Sequence, residues 1–269
     1  MSTPLIDGHR QESISVYDEG LLRGDGCFEA IRAYDGKPFA FAPHYERLTR
    51  SAAALDIACP PATNLRAWVE EMAAEGGDCI VRVILTRGSG ESSPGRCVVL
   101  WQPVAAKASN LRLLPVPAPW HPAGQPWELS GVKTISYAPN MAASRLARSR
   151  GFDDALLIAA AGVVLEGPTF AVAWIRDGVI ETPDLDLGIL DSVTSRLLLS
   201  AATATGQKVV SGRFQSDVLA GATEVVAMST VKEVTPVTSI GNRDFKSGPI
   251  TSQLIGLFRK LVVAARQYK

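Results

Sequence analysis

Two residues of this 269-residue chain stand out for the chemistry their types and surroundings allow. One is Lys133, in the run Gly131-Val132-Lys133-Thr134-Ile135-Ser136-Tyr137. The other is Glu166, which closes the eleven-residue apolar stretch Ala155-Leu156-Leu157-Ile158-Ala159-Ala160-Ala161-Gly162-Val163-Val164-Leu165. An acid ending such a stretch is expected to be at least half buried. A buried carboxylate needs a cationic or donor partner, or it takes up a proton. Few cations of the chain look placed to reach Glu166. A protonated pyridine nitrogen meets that need, and a lysine able to form a Schiff base is what a cofactor carrying that nitrogen also requires. Lysine plus glutamate therefore suggests pyridoxal phosphate (PLP). The plainer readings are a solvated surface lysine and a strand-end acid.

Such a cofactor also needs a seat for its phosphate. Helix N-termini offer free N–H groups and a favourable dipole, and one arginine should add a charge-assisted contact. Ser192-Val193-Thr194 opens a helix after Asp191, and Ser229-Thr230-Val231 follows a strand. Their hydroxyls could equally cap their own turns. The loop Arg87-Gly88-Ser89-Gly90 has the glycines of a phosphate loop but lacks P-loop spacing and a following Lys-Ser/Thr pair, so it reads as a hairpin.

Strands are expected at Cys27–Tyr34, with Asp35-Gly36 turning into a return over Pro38–Phe41, and at Cys79–Thr86 and Arg96–Gln102. Pro43 is expected to open a helix through Leu55, with Tyr45, Leu48, Ala52 and Leu55 on one face. Asn64 reads as the N-cap of a second helix ending at Gly76-Gly77. Five prolines between Leu114 and Pro126 cannot sit inside a helix or a central strand. That stretch is taken as the domain boundary: a smaller N-terminal domain 1–113, a linker 114–128 and a larger domain 129–269 carrying Lys133. Beyond it, a helix from Pro139 to Gly151 is followed by strands Ala155–Ala159, Val163–Glu166, Phe170–Ile175 and Val179–Thr182. Then come a helix Ser192–Thr205, a strand Glu224–Met228 and a helix from Pro249. The class is α/β or α+β with much antiparallel sheet.

Charges balance, 27 basic against 27 acidic, which argues against nucleic-acid and basic membrane-surface binding. No signal peptide is visible, and the apolar runs are too short to span a bilayer. Cys27, Cys59, Cys79 and Cys97 lie far apart and read as free thiols in a reducing cytoplasm. His9, His44 and His121 show no metal-ligand spacing.

Four stretches, in order, carry a resemblance over nearly the whole chain. They are Gly24-Asp25-Gly26-Cys27-Phe28-Glu29-Ala30-Ile31-Arg32 with Tyr34-Asp35-Gly36, then His44-Tyr45-Glu46-Arg47-Leu48. Next comes Lys133-Thr134-Ile135-Ser136-Tyr137-Ala138-Pro139-Asn140 with Val164-Leu165-Glu166-Gly167, and last Lys232-Glu233-Val234-Thr235-Pro236-Val237. Together they resemble the class IV aminotransferases of PLP fold type IV. That group includes branched-chain and D-amino acid aminotransferases, (R)-amine transaminases and aminodeoxychorismate lyase.

The resemblance implies two domains with the site between them and a homodimer that completes it. It implies that Lys133 is the Schiff-base lysine and proton shuttle, that Glu166 partners the pyridinium nitrogen and that Tyr137 lies near the ring hydroxyl. Arg47, Ser192, Val193, Thr194, Thr230 and Val231 would hold the phosphate, and Phe28, Arg32, Arg82 and Arg87 would line the substrate pocket. Departures from the family pattern are Pro168-Thr169-Phe170 after Glu166-Gly167, Ser192 in place of a glycine, the added Ser195, and Ile80 in place of a tyrosine. The expected function is a cytoplasmic PLP-dependent transaminase moving an amino group between a hydrophobic, branched-chain amino acid and a 2-oxo acid. The alternative is aminodeoxychorismate lyase. A non-catalytic PLP-binding scaffold is a third reading, disfavoured by the intact Lys133.

Overall fold

A computed structural model describes residues 2–90, 95–106 and 108–265, together with the backbone of 266–267. The chain divides into two compact units. The first comprises Met1–Ala106, Val132–Tyr137 and Ala265–Lys269, and the second Lys107–Gly131 and Ala138–Ala264. This differs from the single cut expected at 114–128, because the segment bearing Lys133 clusters with the N-terminal residues.

The first unit contains β1 (Leu5–Ile6), β2 (His9–Arg10), α1 (Glu19–Arg23), β3 (Gly26–Tyr34), β4 (Lys37–Pro38), α2 (Phe41–Ala54), α3 (Ala62–Gly76), β5 (Cys79–Thr86) and β6 (Arg96–Pro103). Its strands form an antiparallel sheet in the order β2-β1-β6-β5-β3-β4. Strand alternation divides this sheet into two faces. The odd residues Cys27, Ile31, Ala33, Val81, Val83, Cys97 and Val99 form one core with Leu48 and Ala52 of α2 and with Leu65, Val69 and Met72 of α3. The even residues of β3, Phe28, Ala30, Arg32 and Tyr34, stay half-buried on the opposite face. Asp35 and Gly36 both have positive φ, 49° and 74°, as the expected two-residue hairpin turn requires.

Two details of this unit differ from the sequence reading. Asn64 lies within α3 rather than at its cap, which is Pro61 with no side-chain cap bond. The chain leaving β3 pairs only over Lys37–Pro38 before Phe41 opens α2.

The second unit contains β7 (Leu111–Pro117), α4 (Ala138–Ser149), β8 (Asp154–Ile158), β9 (Ala171–Arg176), β10 (Val179–Pro183), α5 (Val193–Ala204), β11 (Val209–Gly212), β12 (Glu224–Ser229), β13 (Glu233–Ile240), β14 (Arg243–Asp244) and, as far as Ala264, α6 (Pro249–Gln267). The sheet runs β11-β10-β9-β12-β13-β7-β8 with β14 beside β13. Its β9, β10, β12 and β13 neighbours pair antiparallel, while β10–β11, β13–β7 and β7–β8 pair parallel.

Pro115 and Pro117 thus lie inside a sheet strand, against the expectation that they could not. The bond directions explain how. Gly241 N–H donates to Leu113 O and Ala118 N–H donates to Ile158 O, so odd residues of β7 face the β13 side and even ones face β8. Pairing with β13 stops at Leu113. The missing proline N–H groups therefore point where no strand continues.

The expected strand Val163–Glu166 is not a regular strand. Leu157 N–H bonds Glu166 O and Leu165 N–H bonds Leu157 O, while Val164 N–H turns to Phe214 O, so its bonds are shared between two neighbours. Among the described residues no helix is long and apolar enough to cross a membrane. All four cysteines are free.

Gly26 pairs with Thr86, and a Cβ there would lie 2.3 Å from Leu85 O and 3.0 Å from Ile135 Cδ1. Gly26→Ala should lower stability by about 1–3 kcal/mol, the usual cost of overpacking. Gly256, inside α6 with nothing near its Cβ position, should gain about 0.5–1 kcal/mol as alanine. Urea unfolding of the two variants checks both signs.

Candidate functional site

In the first unit, Lys133 is built onto the edge of β3. Phe28 N–H donates to Lys133 O at 3.0 Å and Ile135 N–H to Gly26 O at 2.9 Å, with an antiparallel bridge between Cys27 and Thr134. Lys133 N–H donates to Ser51 Oγ of α2 at 3.2 Å. Both backbone polar groups of this residue are satisfied, which fixes where its side chain starts. The side chain is buried and ends on an aromatic ledge. Nζ lies 4.4 Å from the Phe28 ring centroid and donates to Tyr137 Oη at 3.3 Å, and the two rings meet edge to face at 5.2 Å.

Arg82 shares the sheet face of Phe28. It pairs across from Ala30, its Nε donates to Gln102 Oε1 at 2.6 Å, and its guanidinium carbon lies 5.8 Å from the Phe28 centroid. Ile84 and Leu100 are half-buried on the same face. Lys133, Tyr137, Phe28 and Arg82 therefore form one contiguous group.

Arg32 and Arg87 do not join it. Arg32 is four residues along β3 from Phe28, roughly 13 Å at about 3.3 Å per residue. There it lies over Tyr34, donates to Cys79 O at 3.1 Å and faces Asp78 at 3.7 Å. Arg87 is paired with Asp25 and donates to the carbonyls of Leu55 and Asp56, so it clamps the turn before β3.

Arg47 is buried on α2, with the helix stripe His44, Arg47, Leu48, Ser51 and Ala52. Its Nε and Nη2 each donate at 2.7 Å to the carboxylate of Glu29, and His44 Nδ1 lies 2.7 Å from Glu29 Oε2. Burial alone would raise the Glu29 pKa. The hydrogen bond and charge of Arg47, joined by His44, overcome it and hold Glu29 at about 2. Burial pushes His44 below its usual range, against the pull of Glu29. Glu29, His44, Ser51 and Gln102 were missed in the sequence. The available signal was an acid at an odd position of β3, among residues that otherwise build the core.

In the second unit, Glu166 is half-buried, as its apolar approach implied, and its Oε1 accepts from Leu190 N–H at 3.2 Å. Two residues on, Ser192 caps α5 by accepting from Ser195 N–H at 3.3 Å, with Val193 and Thr194 buried in the first turn. Glu166 and the N-terminus of α5 are thus tied to one stretch of chain. Thr230 is half-buried and Val231 exposed in the turn between β12 and β13. Ser229 Oγ accepts there from Lys232 N–H at 3.0 Å, and Lys232 Nζ pairs with the buried Asp154 at 3.4 Å. Among the described residues no group of three metal-ligating side chains could hold an ion.

A family model described as amino-transferase class IV matches residues 26–240. The D-alanine aminotransferase of Listeria monocytogenes is 30% identical over 279 residues, covering 97% of this chain and 96% of the relative. The bifunctional aminodeoxychorismate lyase / D-amino acid transaminase of Mycobacterium tuberculosis is 32% identical over 212 residues, 70% of this chain and 72% of the relative. Among solved structures, a fold IV transaminase from Curtobacterium pusillum aligns with a TM-score of 0.86 at 31% identity, covering 94% of this chain and 90% of that one. A Mycobacterium tuberculosis protein described as a hypothetical aminotransferase, in its PLP-bound form, reaches 0.92 at 25% identity over 98% and 99%. The branched-chain aminotransferase of Thermoproteus uzoniensis, with norvaline, reaches 0.88 at 28% over 99% and 96%.

Removing the Glu29 charge takes its carboxylate partner from a buried guanidinium, so Glu29→Gln should cost about 3–5 kcal/mol at neutral pH. Because the folded pKa of Glu29 lies below its unfolded value, its contribution is present above the ordinary carboxylate range and is lost as pH falls toward about 2. Urea unfolding of wild type and Glu29→Gln from pH 7 down to pH 2.5 should show the gap closing with acid.

Proposed function

The chain belongs to the class IV aminotransferase family, and from that membership we propose that it moves an amino group between a hydrophobic, branched-chain amino acid and a 2-oxo acid, with glutamate and 2-oxoglutarate as the second pair. It is an enzyme of the class IV transaminase type with the α/β architecture of fold type IV. The observation that carries the reading is the Lys133 amine on its Phe28–Tyr137 ledge, with its backbone pinned on both sides.

The residues present fit PLP, the cofactor of this family. They include a buried amine beside a phenol, a buried guanidinium, a half-buried carboxylate and a helix N-terminus with hydroxyl side chains. Bound, PLP supplies an electrophilic carbon and a ring that accepts the electron pair released when the substrate Cα loses its proton. Lys133 takes that proton and returns it. Glu166 would partner the pyridine nitrogen, and Tyr137 would serve the ring hydroxyl. Arg47, Ser192, Val193, Thr194, Thr230 and Val231 would hold the phosphate. Phe28 with Ile84 and Leu100 offers apolar surface, and Arg82, held by Gln102, offers one carboxylate seat. That combination favours a donor with an apolar side chain.

A homodimer belongs to the same proposal. Ile14, Val16, Tyr17, Leu21 and Leu22 are 40–73% exposed within nine residues. They are firmly held, because the buried Asp18 caps α1 and accepts from Thr86 Oγ1 at 2.8 Å. An apolar cluster on a fixed support marks an interface, and a second copy is the expected occupant. Leu21→Arg combined with Leu22→Arg should shift sedimentation from dimer to monomer. A cytoplasmic location accords with four separate free thiols.

Adding L-leucine or L-valine without acceptor should bleach the visible band of the PLP-loaded enzyme, and 2-oxoglutarate should restore it. Lys133→Ala should show neither change. If no amino acid bleaches the band while aminodeoxychorismate yields 4-aminobenzoate and pyruvate, the lyase reading replaces the transaminase one. The bifunctional relative named for both activities makes that comparison the decisive one.

A further inference from the structure

A tightly bonded, buried polar cluster lies between β3 and α2 of the first unit. Glu29 and His44 are 1% exposed, and Arg47 is 5% exposed. Two parallel bonds of 2.7 Å, Nε to Oε1 and Nη2 to Oε2, join Arg47 to Glu29, and His44 Nδ1 takes the second side of Oε2 at 2.7 Å. A bidentate pair fixes the plane of a guanidinium as well as its place. Four residues further along α2, Ser51 accepts from the N–H of Lys133. One residue before Glu29, Phe28 donates to the carbonyl of Lys133. Strand β3 and helix α2 therefore hold the backbone of Lys133 and the head of Arg47 from the same pair of elements.

We propose that Glu29, steadied by His44, is the positioning residue that presents Arg47 to the cofactor phosphate in a single orientation, so that the phosphate seat is built before the cofactor arrives. The inference rests on the reading of Arg47 as a phosphate ligand. Glu29 acts only through Arg47. With Nε and Nη2 turned to the carboxylate, the guanidinium can meet an anion from one side only. Its charge is balanced locally by Glu29, and burial disfavours the charged form of His44. The cluster is therefore stable without an anion, and no ordering of a long side chain is left for the binding step.

The test compares dissociation constants for PLP and for pyridoxal, which lacks the phosphate, in wild type, Glu29→Gln and Glu29→Asp. Glu29→Asp keeps the charge but withdraws it by one methylene. Wild type should prefer PLP strongly. Both variants should lose PLP affinity by roughly tenfold or more, the scale of one charge-assisted hydrogen bond, while pyridoxal binding stays within about twofold. If Glu29→Gln does not fold, Glu29→Asp alone decides. Equal losses for PLP and pyridoxal would mean general damage to the unit and would overturn the proposal, as would unchanged PLP affinity in a folded variant. A wild type that binds pyridoxal as well as PLP would instead remove the phosphate role of Arg47, a separate failure.

Discussion

A carboxylate almost without solvent, Glu29, sits within strand β3 of the first unit, and much of that unit's arrangement follows from keeping it paired. Stripping an ion of water costs several kcal/mol, which its partners recover only with near-ideal geometry. Arg47 and His44 supply that geometry with three contacts of 2.7 Å. Losing one partner costs about 3–5 kcal/mol, a large share of the roughly 5–15 kcal/mol that stabilises an ordinary domain. Helix α2 cannot rotate or slide on β3 without breaking this pair. The apolar contacts of Leu48 and Ala52 in the same stripe add area, while the ion pair adds register.

Strand β3 consequently serves three purposes along nine residues. Its odd side chains face the helices, where Glu29 interrupts Cys27, Ile31 and Ala33. Its even side chains face away, and there Phe28 provides the ledge for the Lys133 amine. Its edge, at Gly26 and Phe28, takes the hydrogen bonds of residues 133 and 135. Gly26 makes this approach possible, since Leu85 O and the Ile135 side chain occupy the space a Cβ would need. A lysine distant in sequence thereby becomes part of the sheet against which α2, with Arg47, is packed. Its position is set by backbone bonds, so the amine is placed by rigid structure rather than by a mobile loop.

Under the proposed function, anchoring and selectivity would fall on different surfaces of that unit. The ion-paired face of β3 is closed by α2. The open face carries Phe28, Ile84, Leu100 and Arg82, held by Gln102, with Arg32 farther along β3.

Much was legible in the sequence. Alternation and turn chemistry placed β3, β5 and β6 within a residue or two, and the Asp35-Gly36 turn carries the positive φ angles its residue types invite. Glu166 proved half-buried because an apolar run leads into it, and Ser192 caps α5 as its hydroxyl and position implied. These are local matters, settled by neighbours in the chain. The tertiary structure alone decided which charges meet. Arg87 is taken by Asp25 and Arg47 by Glu29, each across a long stretch of sequence. It also decided that Pro115 and Pro117 can lie within a strand, because whether a missing N–H matters depends on what runs alongside. And it drew residues 132–137 into the first unit, because a strand edge accepts whichever segment reaches it with its hydrogen bonds unmet.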